Sequence, residues 1–425
     1  MTQKTFRSFG RHIFAIMISV GICVTLLLFA QMPAPTPENA KDAASPVDAV
    51  VTTDPVAPAA PYEAFLDPNL ADGFDFPIGN IDGQGKYTHK GKTYNGWYIA
   101  VAFCEQYSYG IHNGEDFNGR GGGDTDLGQP VYSIGHGKVT HVTHAEPFGN
   151  IVTIEHRYID NGIIRSIFSQ YDHLKEVKVK AGDAVKRRQK IGTIGKGADE
   201  QFLAHLHFEI RKEAMRDKDP TFWPSSNGWT VEQVQENFHS PSEFIRNHRS
   251  LPHPPTAKNF LICFKGDRTL HLFSQGKIAT SWQIAVSQEP IGKKSRDGDL
   301  KTPEGFYHIR EKIRGPFAGP DWMKFLGVAW MRIDYPNRVD AQEGLKEKAI
   351  TQTQHDAIVK AITQKKMPPK GTPLGDGIGI HGWADPDWAL DGSRALTWGC
   401  ISMQKKDLLD LYEKIPLGTP IIIHP

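Results

Sequence analysis

Residues 204–209 read Ala-His-Leu-His-Phe-Glu, and this stretch decides the fold of the first half of the chain. Side chains alternate between the two faces of a strand, so His205 and His207 would point to the same face. The runs Val-Tyr-Ser-Ile-Gly-His-Gly-Lys-Val at 131–139 and Asn-Ile-Val-Thr-Ile-Glu-His at 150–156 are also of strand length, and glycine-rich turns separate such runs. The pattern predicts a mostly antiparallel β domain.

A second group of potential metal ligands lies upstream, where residues 112–116 read His-Asn-Gly-Glu-Asp. His112 and Asp116 can converge from one turn, because Gly114 between them permits a tight backbone. Zinc hydrolases usually hold their ion with three protein ligands and leave a fourth position for water. His173 adds a histidine that can handle a proton. An isolated histidine on a strand is more often structural, and this interpretation applies to His136, His141, His144 and His156.

Taken in order, these motifs resemble the lysostaphin/LytM-type zinc endopeptidases of cell walls, over about residues 108–212. The resemblance includes Asp-Leu-Gly-Gln-Pro-Val-Tyr at 126–132 and Val-Lys-Ala-Gly-Asp-Ala-Val at 179–185. It implies an antiparallel β metallopeptidase domain that binds one Zn²⁺. The implied zinc ligands are His112, Asp116 and His207, and the implied catalytic residues, which orient water and stabilise the transition state, are His173 and His205.

The second half of the chain carries a histidine and a cysteine in a setting typical of a thiol nucleophile. His381 ends an apolar run, and residues 397–402 read Thr-Trp-Gly-Cys-Ile-Ser. A cysteine nucleophile needs a base and backbone donors for the oxyanion. Gly399 has no side chain, which would let backbone amides face an incoming carbonyl. The spacing of His381 and Cys400 alone leaves a structural and a catalytic reading equally open.

The surrounding sequence resembles the YkuD-type L,D-transpeptidase domain over about residues 259–425, with matching stretches at 292–309, 333–337 and 397–403. This resemblance implies a β-rich domain with a few helices. It also implies Cys400 as the nucleophile and His381 as its base. The implied supporting groups are the Gly382 backbone, which orients His381, and the Gly399 and Cys400 amides, which form the oxyanion hole.

The cysteine motif departs from the usual pattern at two positions. Thr397 stands where the motif often has serine, and Ser402 stands where many members have arginine or asparagine. Arg394 is one candidate for supplying the missing charge to a substrate carboxylate. The sequence does not decide whether the acyl group passes to an amine or to water.

The chain as a whole is predicted to be mainly β, with two domains behind an N-terminal membrane or signal helix. An apolar run at 13–30 follows Lys4, Arg7 and Arg11, and its 18 residues would span about 27 Å. This layout favours an uncleaved anchor over a cleaved signal peptide. The predicted segments are an anchor or signal at 1–30, a disordered Pro/Ala-rich spacer at 31–62, the LytM-type domain at 63–216, a linker at 217–257 and the L,D-transpeptidase domain at 258–425.

Together these features predict a bifunctional enzyme that remodels peptidoglycan by acting on its stem peptides. Its predicted place is the periplasmic side of the inner membrane, either anchored there or secreted to the envelope. The formal net charge of +1 gives no reason to expect nucleic acid, and no protein partner is indicated. The alternatives are an envelope scaffold or amidase regulator whose first domain does not cut, and a secreted lytic toxin.

Overall fold

The computed structural model describes residues 62–317, 326–382 and 395–425. The predicted anchor, the spacer up to residue 61 and Arg394 lie outside these ranges. Within the described ranges, no helix has the length and apolar character needed to cross a membrane. All of the described residues belong to one unit. Within it, the prediction of a mainly β chain with two domains and few helices is confirmed.

The first domain is built from short and long strands with two short helices. Its strands are β1 (Lys86–His89), β2 (Lys92–Asn95), β3 (Trp97–Val101), β4 (Gln106–Tyr107), β5 (Gly110–Ile111), β6 (Glu115–Gly119), β7 (Pro130–Tyr132), β8 (Gly137–Ala145), β9 (Gly149–Asp160), β10 (Ile163–Val177), β11 (Ala184–Val185), β12 (Lys190–Ile194), β13 (Leu206–Lys212) and β14 (Phe238–His239). Its helices are α1 (Val231–Asn237) and α2 (Pro241–Asn247).

Most of these strands form one ten-stranded sheet with the central order β11-β8-β9-β10-β13-β6-β3. Strand β13 lies between β10 and β6 and is antiparallel to both. Its apolar residues Leu206, Phe208 and Ile210 enter the main core of the domain. Because strand side chains alternate, His207, Glu209 and Arg211 share the other face. This central position is what places the histidine motif at the middle of a rigid sheet.

The predicted linker at 217–257 contains both helices of this domain. The predicted helix at 231–238 is confirmed as α1, and Thr230 starts it with a capping box in which its side chain accepts from the Gln233 amide. Helix α2 buries Phe244 and Ile245 in the core of the first sheet. Much of this segment therefore packs on the first sheet.

The second domain has its own sheet and three helices. Its strands are β15 (Asn259–Phe264), β16 (Thr269–Ser274), β17 (Lys277–Gln283), β18 (Val286–Ser287), β19 (Gly305–Arg314), β20 (Ala329–Ile333), β21 (Gly379–Gly382), β22 (Ala395–Thr397), β23 (Ile401–Met403) and β24 (Pro420–His424). Its helices are α3 (Arg338–Lys346), α4 (Gln352–Thr363) and α5 (Lys405–Lys414). The eight-stranded sheet has the order β17-β16-β15-β24-β19-β20-β21-β23.

Besides the core of each domain, a third apolar cluster contains residues from both sheets. The hairpin turn between β9 and β10 lies against β19 and β24: a Cβ built on Gly162 would lie 2.8 Å from the carbonyl oxygen of Ile423. Asn161 and Gly162 both have positive φ, 47° and 84°, as an Asn-Gly hairpin turn requires. The buried members of the cluster are Phe65, Leu70, Ile159, Phe260, Ile262, Phe264, Phe273 and Ile422. The two domains thus share buried apolar surface.

Candidate active sites

Two neighbouring strands and one turn bring candidate metal ligands together. His207 on β13 is directly opposite Asp116 on β6, and His112 approaches from the turn before β6. His207 Nδ1 lies 3.0 Å from Asp116 Oδ1 and 3.0 Å from His112 Nε2. His112 Nε2 lies 3.1 Å from Asp116 Oδ1. Within the described ranges, this is the one group of histidine, cysteine or acidic residues with ligand atoms close enough to share an ion.

The second ring nitrogen of each ligand histidine is held by an oxygen acceptor. His112 Nδ1 lies 3.3 Å from the carbonyl oxygen of Ala102. His207 Nε2 lies 3.5 Å from Glu209 Oε2. A nitrogen that donates its proton to an oxygen leaves the other ring nitrogen with a free lone pair. These contacts therefore select the tautomers in which His112 Nε2 and His207 Nδ1 can bind a metal.

Two further histidines lie beside the ligand set. The rings of His173 and His205 are 4.6 Å apart between centroids, and the ring of His173 is 6.0 Å from that of His207. His173 Nδ1 lies 2.8 Å from the Phe148 carbonyl oxygen, and His205 Nδ1 lies 2.8 Å from the Leu203 carbonyl oxygen. Each ring therefore donates from Nδ1 and keeps Nε2 as a potential proton acceptor.

A β-bulge turns His173 into the site. Tyr171 and Leu174 on β10 both enter the core of the first sheet, and the pairing of β10 with β9 shifts register between them. His173 has a φ of 64°, in the left-handed region that non-glycine residues rarely adopt. Because of the extra residue, the side chains of Asp172 and His173 both point away from the core. Bulges commonly redirect a side chain in this way.

The electrostatic environment keeps His173 and His205 neutral and favours a positive charge at His207. Burial, together with His205 and His207, holds the pKa of His173 well below its usual value, and burial also lowers the pKa of His205. At His207 burial acts in the same direction, but hydrogen bonds to Asp116 and Glu209 outweigh it and raise the pKa to about 10. The ligand set is therefore built to stabilise a cation, which fits a metal ion.

An aromatic cleft of about 470 Å³ opens over these histidines. Its walls include the side chains of Tyr107, Phe148, Phe202, Phe222 and Trp223. The ring of Trp223 lies 5.9 Å from that of His207 and 6.3 Å from that of His112. A cleft with apolar walls and a polar floor is typical of a ligand-binding site.

Sequence reasoning missed Glu209, which supports the ligand set from the same strand. Glu209 is buried and contacts His207, Arg211 and the side-chain amide of Asn113. Its position two residues after His207 places it on the same face of β13. The alternation that paired His205 with His207 could therefore have predicted Glu209 as well.

The second candidate site lies on two neighbouring strands of the other sheet. His381 on β21 is directly opposite Ser402 on β23, and Cys400 comes immediately before β23. Cys400 Sγ lies 3.6 Å from the Gly377 carbonyl oxygen, and His381 Nδ1 lies 3.2 Å from the Gly382 carbonyl oxygen. Burial raises the pKa of the Cys400 thiol to about 11, so at neutral pH the sulfur carries its proton.

The turn that presents Cys400 depends on Gly399 and Thr397. Gly399 has a φ of 145°, and a Cβ there would lie 2.8 Å from Ile378 Cδ1 and 2.9 Å from the Lys301 carbonyl oxygen. Thr397 Oγ1 donates to the Cys400 carbonyl oxygen at 2.5 Å and accepts from the Gly399 amide at 3.4 Å. The threonine therefore ties both ends of the turn, and the glycine makes its backbone path possible.

Comparison with known proteins identifies both halves. Residues 110–220 match the model of Peptidase family M23, and residues 258–423 match the model of the L,D-transpeptidase catalytic domain, YkuD. The chain therefore contains an M23 (LytM-type) domain followed by a YkuD-type domain, as the two resemblances predicted.

Individual relatives match one half at a time. Peptidoglycan DD-endopeptidase ShyB of Vibrio cholerae is 40% identical over 99 residues, which are 23% of this chain and 20% of that protein. Putative L,D-transpeptidase YafK of Escherichia coli K12 is 31% identical over 94 residues, 21% of this chain and 35% of that protein. A crystal structure of a zinc containing peptidase from Vibrio cholerae shows 29% identity and a TM-score of 0.24, over 33% of this chain and 37% of that one. The chain thus spans about a fifth of ShyB and about a third of YafK.

Proposed function

We propose that this chain is a bifunctional peptidoglycan-remodelling enzyme that cuts stem-peptide cross-links with one domain and transfers stem-peptide acyl groups with the other. The observation that carries the first activity is the convergence of three ligand atoms, from His112, Asp116 and His207, at separations of 3.0–3.1 Å. Two imidazoles and one carboxylate are a donor set that suits Zn²⁺ and leaves a position for water. The proposal therefore includes one zinc ion held by these residues.

Zinc, when bound, supplies a water of lowered pKa and polarises a carbonyl. The chain's own contribution is proton handling and positioning. His173 and His205 keep Nε2 free because Nδ1 donates to a backbone carbonyl in each ring. One of them accepts a proton from the attacking water, and a histidine then donates a proton to the leaving amine. The aromatic walls around them orient the peptide and exclude bulk water.

In the second domain, Cys400 is proposed to attack the carbonyl of the L-centre residue that precedes a terminal D-amino acid. His381 takes the thiol proton during the attack, because burial keeps the sulfur protonated beforehand. A C–S bond forms, the C–N bond breaks, and the D-amino acid leaves with the proton as its amine. The Gly399 and Cys400 amides are the proposed oxyanion donors, and the Gly399 amide exchanges its 3.4 Å contact with Thr397 Oγ1 for the oxyanion. An amine or water then attacks the thioester carbonyl, a C–N or C–O bond forms, the C–S bond breaks, and the Cys400 sulfur regains a proton.

The proposed location is the periplasmic side of the inner membrane, which rests on the basic and apolar sequence of residues 1–30. Envelope-acting relatives support an extracytoplasmic place, and the stem peptides of peptidoglycan are the proposed substrate. The proposed domain limits are 63–216 and 258–425, with the intervening segment packed largely on the first sheet.

The test uses the full-length, zinc-loaded protein on purified muropeptides, followed by mass spectrometry. Wild type is compared with His207→Ala and with Cys400→Ala. We expect cross-linked dimers to disappear only where His207 is intact, and tripeptides or new cross-links to form only where Cys400 is intact. Loss of both activities in either folded variant would contradict two independent sites. A wild type that binds no zinc and leaves every muropeptide unchanged would favour a scaffold instead.

A further inference from the structure

A buried arginine lies in line with the catalytic cysteine across the second sheet. Arg332 on β20 is directly opposite Gly379 on β21. Ile380 is opposite Ile401 in the parallel pair β21–β23, so Gly379 comes next to Cys400. Arg332, Gly379 and Cys400 therefore form one row across three strands. At about 4.8 Å per strand spacing, the backbone of Arg332 is roughly 10 Å from that of Cys400.

The side chains of this row share a face of the sheet. Met331 and Ile333 flank Arg332 and enter the core of the second domain, as do Ile401 and Met403. Alternation along each strand therefore turns Arg332 and Cys400 away from that core. Gly379 between them contributes no side chain. Trp330 Cη2 lies 2.8 Å from the position that a Cβ on Gly379 would take, so the ring of Trp330 covers Gly379.

The guanidinium of Arg332 is poorly satisfied for a buried charge. Arg332 is only 6% exposed. Its Nη2 lies 3.4 Å from Asp376 Oδ1, and its Nε has no hydrogen-bond partner among the residues that the structure describes. Arginine carries five N–H donors, and a buried donor left without an acceptor is costly. Asp376 is also shared, because its Oδ2 accepts from the Gly371 amide at 2.7 Å.

The arginine and the cysteine also touch consecutive residues of one loop. Arg332 contacts Asp376, and Cys400 Sγ contacts the carbonyl oxygen of Gly377. The Arg332 guanidinium and the Cys400 thiol thus lie close enough for one short peptide to contact both. An arginine with free donors is well suited to a carboxylate, which can accept two parallel hydrogen bonds from it.

We propose that Arg332 binds a carboxylate of the stem peptide whose L-centre carbonyl Cys400 attacks, and so selects substrates by negative charge. The inference rests on the acyl transfer proposed above. Two carboxylates of a stem peptide have the required chemistry: that of the terminal D-amino acid, which leaves, and that at the D-centre of a diamino acid in the third position. Both lie a few bonds from the scissile carbonyl.

The experiment measures acylation of Cys400 in the full-length protein with three synthetic tetrapeptide stems. One has both carboxylates free, one has the terminal carboxylate amidated, and one has the diamino-acid carboxylate amidated. The proteins are wild type, Arg332→Gln, Arg332→Lys and a control, Arg314→Gln, which removes a surface arginine paired with Glu413. Thermal unfolding and alkylation of Cys400 by iodoacetamide check folding and thiol access.

We expect wild type and Arg314→Gln to prefer the free stem over one amidated stem by about 10- to 100-fold in kcat/KM, the range of a charge-assisted hydrogen bond. Arg332→Gln should lose that preference, chiefly through KM, and Arg332→Lys should recover part of it. The stem whose amidation lowers kcat/KM in the wild type identifies the carboxylate that Arg332 binds. If the wild type is acylated equally by all three stems, the proposed role of Arg332 is wrong. This result does not depend on whether Arg332→Gln folds. No acyl-enzyme with any stem would instead refute the proposed function.

Discussion

The carboxylate of Glu209 lies 3.5 Å from His207 Nε2, on the side of the ring opposite the ligand cluster. Glu209 is itself fixed by Arg211 and by the side-chain amide of Asn113. This chain of contacts fixes the orientation and tautomer of a proposed zinc ligand from within a buried network. Outer contacts of this kind tune the affinity of metal sites.

Replacing Glu209 with glutamine should weaken zinc binding while leaving the ligand atoms in place. The amide keeps the shape of the side chain but removes the charge that favours proton donation from His207 Nε2. We expect zinc affinity to fall about 10- to 100-fold, measured by competition with a chromophoric chelator. Glu155→Gln on β9, two strands away from β13, is the control, and equal affinity in both variants would refute the role of Glu209.

Replacing His173 with alanine should separate zinc binding from catalysis. His173 lies beside the ligand set and keeps Nε2 as a proton acceptor, so its loss removes an acid–base group and no ligand. We expect kcat for cross-link cleavage to fall about 10²- to 10⁴-fold, with one zinc per chain retained. The exposed His144 provides a matched control variant. Loss of zinc in His173→Ala would instead make His173 part of the metal site.

The hairpin turn at Gly162 offers a test of the contact between the two domains. An alanine Cβ at Gly162 would lie 2.8 Å from the Ile423 carbonyl oxygen, at a φ of 84°. Gly182→Ala is the matched control, because its φ is 93° but nothing lies within 4 Å of its Cβ position. Both variants incur a left-handed backbone penalty of about 1–2 kcal/mol. Gly162→Ala should lower the free energy of unfolding by more, and equal values would argue against close contact in solution.

The buried His156 should make the first domain lose stability in mild acid. Burial lowers the pKa of His156 to about 4, and its ring bonds to the His136 carbonyl oxygen and to Ser169 Oγ. In the unfolded chain its pKa is about 6.5, so protonation favours unfolding. The stability contributed by neutral His156 is complete above pH 6.5 and is lost as the pH falls towards 4, by roughly 3 kcal/mol.

The measurement is the free energy of unfolding of zinc-free protein between pH 7 and pH 4. Wild type is compared with His156→Gln and with His141→Gln, which changes an exposed histidine. As the pH falls, the free energy of unfolding of His156→Gln should decrease less than that of His141→Gln. Parallel curves for all three proteins would mean that another group drives the acid effect.

Strand alternation let the sequence predict part of the first site. It predicted His205 and His207 on one face of a β-strand. Strand β13 begins at Leu206, so His205 lies directly before it, and the same rule accounts for Glu209. Composition and turn residues predicted two β-rich domains, and the helix at 231–238 was confirmed by its capping signal at Thr230. These are local properties, set by sterics and hydrogen bonds within a few residues.

The place of His173 could not be predicted in this way. Its side chain leaves the core side only because a bulge shifts the register of β10 against β9. The row of Arg332, Gly379 and Cys400 likewise depends on the strand order β20-β21-β23, which joins residues far apart in the chain. The sequence by itself predicted the candidate site residues and the strand face that His207 and its alternating neighbours share. Only the tertiary structure decided which strands become neighbours, because pairing depends on burying side chains and backbone hydrogen bonds from the whole domain at once.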